Sequence, residues 1–399
     1  MFQVKSIKID IFEMGKISRS EEIVKKQVLV LYVGGTIGMK KNDDGVYVPV
    51  PHIFYDQLKS LPEMHDSGLA SKYFPDLTDN QLVLPQFENN VILYQLVEYD
   101  PLLDSSNLTM SDWIKMANDI KANYNDFNGI VILHGTDTLA YTSSVLSFMI
   151  KGLQKPVIVT GAQISIFEIR SDAINNIQNS LILAGCYQIP EICAFFDHKL
   201  LRGNRTTKVR LTKFNAYRSP NYGPLANAET AIELKDGNIM KPDPAVPFEV
   251  TTTLNSNVRV ITFFPTITPS MLESVLQEPT AGVVIQSYGA GNIPSNQPEL
   301  IDALKKAVAR NVLIVNITVC LQGSVVSIYD TGKVLADIGV ISGRDMTLEA
   351  ALTKLCVVLG YPDLSHDQRV ELLKQNMRGE LTPLDVTDDN NNNNNNNNL

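Results

Sequence analysis

No stretch of this 399-residue chain approaches the roughly 18 consecutive apolar residues that a membrane-spanning helix requires. Near the amino terminus, Lys5, Lys8, Asp10 and Glu13 interrupt the apolar core that a secretory leader needs. Cysteine is scarce: Cys186, Cys193, Cys320 and Cys356 are the only four, and they have no metal-ligand spacing. Without a leader they read as reduced thiols, mostly in the core, and a cytoplasmic location is the default expectation. Basic residues are outnumbered 34 to 43, giving a net charge of −9. No basic run interleaves with aromatics, so the pattern opposes a nucleic-acid partner. No Gly-Lys-[Ser/Thr] follows the first glycine turn and no G-x-G-x-x-G occurs there, which excludes a P-loop or dinucleotide fingerprint at that position. No repeat near 33 residues is evident.

What is present is ordinary globular composition, 44% hydrophobic and 19% charged, over a length suited to about two domains. Apolar runs at 28–33, 91–94, 129–134, 156–160 and 191–196 read as strands. Between them, Thr109-Met110-Ser111-Asp112 has capping-box form and opens a helix with Trp113, Met116, Ala117 and Ile120 on one face. A second helix follows Thr138, with Tyr141, Val145 and Met149 at helical spacing. Strands alternating with helices imply βαβ units and a parallel sheet covered on both faces.

Residues 217–256 are rich in Pro, Asn and Gly, carry an Asp236-Gly237 hairpin signal, and read as an interdomain connection. Val258–Phe264, Ala281–Gln286 and Val312–Ile317 then read as strands, with helices around 268–277, 297–309 and 347–359. The expected fold is α/β: a larger amino-terminal, doubly wound, mainly parallel sheet domain and a smaller carboxyl-terminal α/β domain. The expected bounds are an extension over 1–27, the larger domain over 28–225, a linker over 226–256, the smaller domain over 257–385, and an Asn-rich disordered tail over 386–399.

Two strands run into glycine and then a hydroxyl: Gly34-Gly35-Thr36 after the first, and His134-Gly135-Thr136-Asp137 after the third. Ligands of doubly wound sheets bind beyond the carboxyl ends of the strands, so both threonines can face one crevice. A threonine hydroxyl needs a base or proton-relay partner to act. Tyr47, across the polar turn 40–45, is the local candidate for Thr36, and the turn is hydrophilic enough to be a lid. For Thr136 the candidates are Asp137 and Lys208, an amine whose pKa burial would lower.

Taken singly, each of these residues has a plainer reading. The glycine turn with threonine is a helix cap, Asp137 a helix-start acid, Lys208 a solvated charge and Tyr47 a loop aromatic. Asp104-Ser105-Ser106 is turn polarity. His134 reads as a hydrogen-bonded structural histidine, and Cys320 as a core thiol.

Taken together, Gly34-Gly35-Thr36-Ile37-Gly38 and His134-Gly135-Thr136-Asp137-Thr138 resemble the two signatures of bacterial-type L-asparaginases. The resemblance continues through Tyr94–Ser106, Pro156–Gln163, Arg202–Lys208 and Ser287–Asn292, and is closest to the cytoplasmic, type I branch. It implies hydrolysis of L-asparagine to L-aspartate and ammonia through an acyl-enzyme, without metal or organic cofactor. By the same resemblance Thr36 is the nucleophile, assisted by Tyr47, while Thr136, Asp137 and Lys208 form a second triad. Asp104, Ser105, Ser106 and Asp137 would hold the substrate's α-amino and α-carboxylate groups, and backbone amides the oxyanion. Asn292 would reach the site of a neighbouring copy in a homodimer or homotetramer, with a turn asparagine as its plainer reading. A second, regulatory asparagine site near Cys320 is a feature of type I relatives. Two other functions fit the same residues: a glutaminase-asparaginase of broader specificity, and a non-catalytic asparagine sensor.

Overall fold

The computed structural model describes residues 22–294, 296–326 and 330–383. Nine strands form the main sheet: β1 (Val24–Gly34), β2 (Gln81–Val83), β3 (Asn90–Leu103), β4 (Gly129–Leu133), β5 (Val157–Thr160), β6 (Ile192–Phe196), β7 (Lys199–Arg202), β8 (Ala226–Ala228) and β9 (Ile232–Leu234). Their spatial order is β9-β8-β7-β6-β5-β4-β1-β3-β2. The central five, β3, β1, β4, β5 and β6, are parallel, and antiparallel strands extend both edges.

The unbroken apolar run of β1 follows from burial on both faces. Val28, Val30 and Tyr32 point into one core, with Ala173, Ile177 and Leu181 of the helix Ala173–Cys186. Leu29, Leu31 and Val33 point into the other, which contains Met116, Ala117 and Ile120 of α1 (Met110–Asn123). The capping box that opens α1 is formed, with Asp112 accepting the Thr109 amide at 2.8 Å.

The helix after Thr138, α2 (Leu139–Met149), is buried nearly all round instead of along one face; Tyr141 is its one partly exposed residue. The cause is a second cover: α3 (Leu348–Gly360), from the carboxyl-terminal half, packs on it in addition to the sheet. The second domain is a four-stranded parallel sheet, β10 (Val258–Thr262), β11 (Gly282–Ser287), β12 (Leu313–Thr318) and β13 (Ile341–Ser342). Helices Pro269–Leu276 and Pro298–Ala309 cover it where the sequence places them.

Two boundaries differ from the expected ones. The first strand begins at Val24, because its polar start (Lys25, Lys26, Gln27) pairs with β3 while remaining at the surface. The stretch expected as linker contributes β8 and β9 to the main sheet, too short for an alternating pattern to be visible. Asp236-Gly237 makes a turn, closed by the Asn238 amide on the Lys235 carbonyl at 2.7 Å, and no second strand of a hairpin follows it directly. Most of the expected amino-terminal extension, and the tail over 386–399, lie outside the described residues.

The returning segment after α3 is fastened by buried charge. Lys354 Nζ lies 2.6 Å from Glu380 Oε1 with both side chains fully buried. Lys354 also donates to the carbonyls of Leu373 and Gln375, and Glu380 accepts the amides of Met377 and Arg378. Stranding one member of such a pair is costly. Lys354→Met is expected to lower the unfolding free energy by about 3–5 kcal/mol in urea titrations. Lys354→Met combined with Glu380→Gln should recover part of that loss, since no buried charge is left unpaired.

Candidate active site

The two glycine turns leave the sheet side by side because Tyr32 of β1 is in register with Leu133 of β4. Gly35 adopts φ 90°, and a Cβ placed there would fall 2.3 Å from Gly135 Cα and 2.4 Å from Gly135 N. The turns therefore touch backbone to backbone, and Gly35 tolerates no side chain at the contact. A Cβ on Gly135 would fall 2.5 Å from Ser105 Oγ. Thr36, partly exposed, opens a short 3-10 turn (Thr36–Gly38) immediately after this contact.

Thr136 is buried on the other side of the contact. Lys208 Nζ donates to Thr136 Oγ1 at 2.9 Å and to Asp137 Oδ1 at 2.8 Å. The lysine is largely buried, whereas the Asp137 side chain is 61% exposed, so the carboxylate end of the cluster faces solvent. Lys208 belongs to a two-residue strand, Thr207–Lys208, paired antiparallel with Tyr217–Arg218. Directly opposite it, the Tyr217 hydroxyl donates to the Thr136 carbonyl. Burial, then the negative Asp137 and Glu349, push the Tyr217 phenol well above its ordinary pKa, so it remains a donor. The neighbouring Thr207 hydroxyl donates to Glu349 Oε1 at 2.8 Å, in the first turn of α3.

Ser105 joins the third loop to this centre. Its Oγ accepts the Asp137 amide at 3.2 Å and its carbonyl accepts the Thr138 hydroxyl at 2.7 Å. Asp104 accepts the Ser106 amide at 3.0 Å, and both residues are exposed beside the buried Ser105. The structure thus gathers Thr36, Thr136, Asp137, Lys208 and the 104–106 turn at the carboxyl edge of the central strands.

Tyr47 stands apart from this group in its hydrogen bonding. It lies in a hairpin, Met39–Lys41 against Tyr47–Pro49, and its hydroxyl donates to Glu168 Oε1 at 2.8 Å. Lys41 pairs with the same carboxylate at 3.0 Å. Asn292 is in the second domain just beyond β11, bridged to Tyr288 through both backbones. Its φ is not positive; Gly289 and Gly291 take that role in the turn.

Cys320 corrects an expectation: it is exposed, because β12 ends at Thr318 and the chain leaves the sheet before reaching it. Cys193 and Cys356 are buried, Cys186 partly so, and all four are free thiols. Tyr217 and Glu349 were not singled out by sequence reading. The signals available were a tyrosine nine residues beyond Lys208 and an acid in the first turn of a largely apolar helix.

His134 is fully buried and structural. A carbonyl can only accept, so Nδ1 carries the proton that goes to Gly135 O (2.7 Å), and Nε2 accepts from the Thr142 hydroxyl at 2.9 Å. Trp113 Nε1 completes the chain by donating to Thr142 Oγ1 at 3.0 Å. Burial holds the His134 pKa down at about 4, outweighing the raising effect of the Gly135 bond. Among the described residues, no group of three or more His, Cys, Asp or Glu side chains is arranged to hold a metal ion.

Fold and site together define a two-domain α/β protein with a hydroxyl–amine–carboxylate cluster at the edge of its larger sheet. The amino-terminal asparaginase family model matches residues 27–239 and the glutaminase/asparaginase carboxyl-terminal domain matches 257–373. The chain belongs to the asparaginase family. It is 44% identical over 357 residues to the L-asparaginase of Dirofilaria immitis, covering 89% of this chain and 60% of that protein. It is 43% identical over 365 residues to the human 60 kDa lysophospholipase, covering 91% of this chain and 63% of that one. The chain thus spans under two thirds of the length of these two relatives. The crystal structure of L-asparaginase I from Vibrio cholerae superimposes with a TM-score of 0.78 at 41% identity, over 90% of this chain and all of that one.

The His134 network sets an acid limit. The unfolded imidazole titrates near 6.5, so below that pH the unfolded state takes a proton that the folded state refuses until about pH 4. Stability from this residue is present above about pH 6.5 and falls by about 3 kcal/mol as the pH drops toward the folded value. The expected observation is a His134 ring that keeps the neutral tautomer's NMR shifts down to about pH 5 while urea midpoints decline.

Proposed function

We propose that this chain hydrolyses the side-chain amide of L-asparagine to L-aspartate and ammonia. The observation that carries this reading is the Lys208 ammonium on both Thr136 Oγ1 and Asp137 Oδ1, beside a second hydroxyl at Thr36. Thr36 Oγ1 adds to the amide carbonyl, its proton passes to the departing nitrogen, and ammonia leaves a β-aspartyl ester on Thr36. Water positioned at the Thr136–Lys208–Asp137 cluster gives a proton to the Asp137 carboxylate as it adds to the ester carbonyl; the ester C–O bond breaks, and that proton passes to Thr36 Oγ1, restoring the threonine and releasing L-aspartate. Backbone amides of the two glycine turns stabilise the oxyanion in each step.

Asp104, Ser105, Ser106 and Asp137 hold the α-ammonium and α-carboxylate of the substrate. Tyr47 serves as the lid residue once its hydroxyl leaves Glu168 and reaches Thr36. Asn292 acts across a contact between copies, in a homodimer or homotetramer, and the protein works in the cytoplasm. Family membership and the asparaginase names of relatives support the reading. One relative is named a lysophospholipase. The walls here are hydroxyls, carboxylates, an ammonium and backbone amides, which suit a small polar substrate better than an acyl chain.

Purified protein is expected to release ammonia from L-asparagine, and more slowly from L-glutamine, whose extra methylene is worth only about 1–3 kcal/mol of discrimination. Thr36→Ala should abolish release while asparagine binding, read by calorimetry, is largely kept. A folded wild-type sample that binds asparagine without releasing ammonia would establish the sensor reading instead. Near-normal turnover in Thr36→Ala would remove Thr36 as nucleophile.

A further inference from the structure

A cavity of about 240 Å³ lies at the amino-terminal end of the parallel strands, where Glu191 and Ile192 lead into β6. This is the opposite edge of the sheet from the threonine turns. The end of α2, the Gly203–Arg205 turn, the segment from Met240 to Val246 and the returning Met377-Arg378 close around it.

The charge inside is one-sided. Arg202 and Glu191 neutralise each other through two bonds, Nε to Oε2 at 2.6 Å and Nη2 to Oε1 at 3.2 Å. Arg378 has no such arrangement: Nε donates to the Ile150 carbonyl at 3.3 Å and Nη1 to the Met377 carbonyl at 2.7 Å. Among the described residues it forms no ion pair, and burial lowers its pKa despite partial compensation from Tyr361 and Glu380. Lys151 and Lys241 stand exposed at the rim. Lys151 is held loosely by Glu249 at 3.6 Å. Asp243, the remaining acid of the lining, is exposed and accepts the Ala245 amide at 2.9 Å.

Asn204 adds a second requirement. It is fully buried, and its Nδ2 donates to Ser147 Oγ at 3.1 Å and to the Arg378 carbonyl at 2.9 Å, which fixes the orientation of the amide. Its Oδ1 is buried and has no hydrogen-bond partner. A buried acceptor in that state is unfavourable and calls for a donor.

We propose that this cavity binds a small hydroxy- or amino-carboxylate, with the carboxylate on Arg378 and Lys241 and the hydroxyl or amino hydrogen on Asn204 Oδ1. The guanidinium offers a planar fork matched to a carboxylate, and the lysine at the rim adds attraction at the entrance. The volume is below the roughly 300–1,000 Å³ of pockets for drug-sized ligands and suits a small metabolite. Asn204 lies in the turn that leads to Lys208, so an occupant would adjoin the loop that carries the site's amine. The binding itself does not depend on asparagine hydrolysis.

The test is calorimetric titration of the full chain with L-malate, which carries two carboxylates and one hydroxyl, and with succinate, which lacks the hydroxyl. Saturable binding of malate with one site per chain is expected, with weaker binding of succinate. Arg378→Gln should weaken malate by about tenfold to a hundredfold, the usual scale of a lost charge-assisted bond. Lys241→Glu, an exposed change at the rim, should weaken it several-fold and keeps the test decisive if Arg378→Gln does not fold. Asp104→Ala, at the other end of the sheet, should leave malate affinity unchanged. Absence of saturable binding, equal affinity for succinate, or binding lost in Asp104→Ala but kept in Lys241→Glu would each overturn the assignment.

Discussion

At the carboxyl edge of the main sheet the backbones of Gly35 and Gly135 meet with no room for a side chain on either. Everything proposed for the site depends on that contact. It follows from the parallel register of β1 and β4, which ends both strands at the same level, and from a positive φ at Gly35. This geometry carries the threonine after each glycine toward the same point, and Lys208 and Tyr217 hold Thr136 there through its hydroxyl and its carbonyl. Ser105, wedged against Gly135, brings the third loop to the same point.

The position of Lys208 has a separate source. Its loop begins in β7, and Arg202 and Arg205 anchor it through buried ion pairs to Glu191 and Asp345. Both arginines also donate to the carbonyl of Gly379 in the returning segment, and Thr207 reaches Glu349 in the second domain. Buried pairs of this kind contribute little net stability against apolar replacements, but they define geometry because every donor has one partner to satisfy. The second domain and the carboxyl-terminal return therefore act as the mould for an amine that works in the first. The Lys354–Glu380 pair fastens that return to α3.

Much of this arrangement was legible in the residues. The central strands are buried on both faces and so appear as unbroken apolar runs; β1 divides its side chains between two cores at period two. The threonine turns were visible because glycine marks a strand end wherever backbones must approach. The capping box of α1 and the core helices of the second domain were equally local signals. Long-range items were not readable from pattern: the Lys208–Thr136 bond joins residues 72 positions apart, and Thr207–Glu349 joins residues 142 apart. Residue type offers Lys208 only as a candidate for Thr136; its place in a triad comes from the family resemblance. Cys320 was misplaced because an apolar run into cysteine looks like a continuing strand, whereas the strand stops two residues earlier. Strands β8 and β9 are three residues each, below the length at which alternation can be recognised.

The division of labour between the two hydroxyls is the central claim, and it is open to direct observation. Wild-type protein turning over L-asparagine can be quenched in acid, digested, and its peptides mapped for a hydroxylamine-labile β-aspartyl ester. The ester is predicted on the peptide bearing Thr36, with the peptide bearing Thr136 unmodified. An ester on Thr136, or none on either peptide while ammonia is being released, would contradict the account.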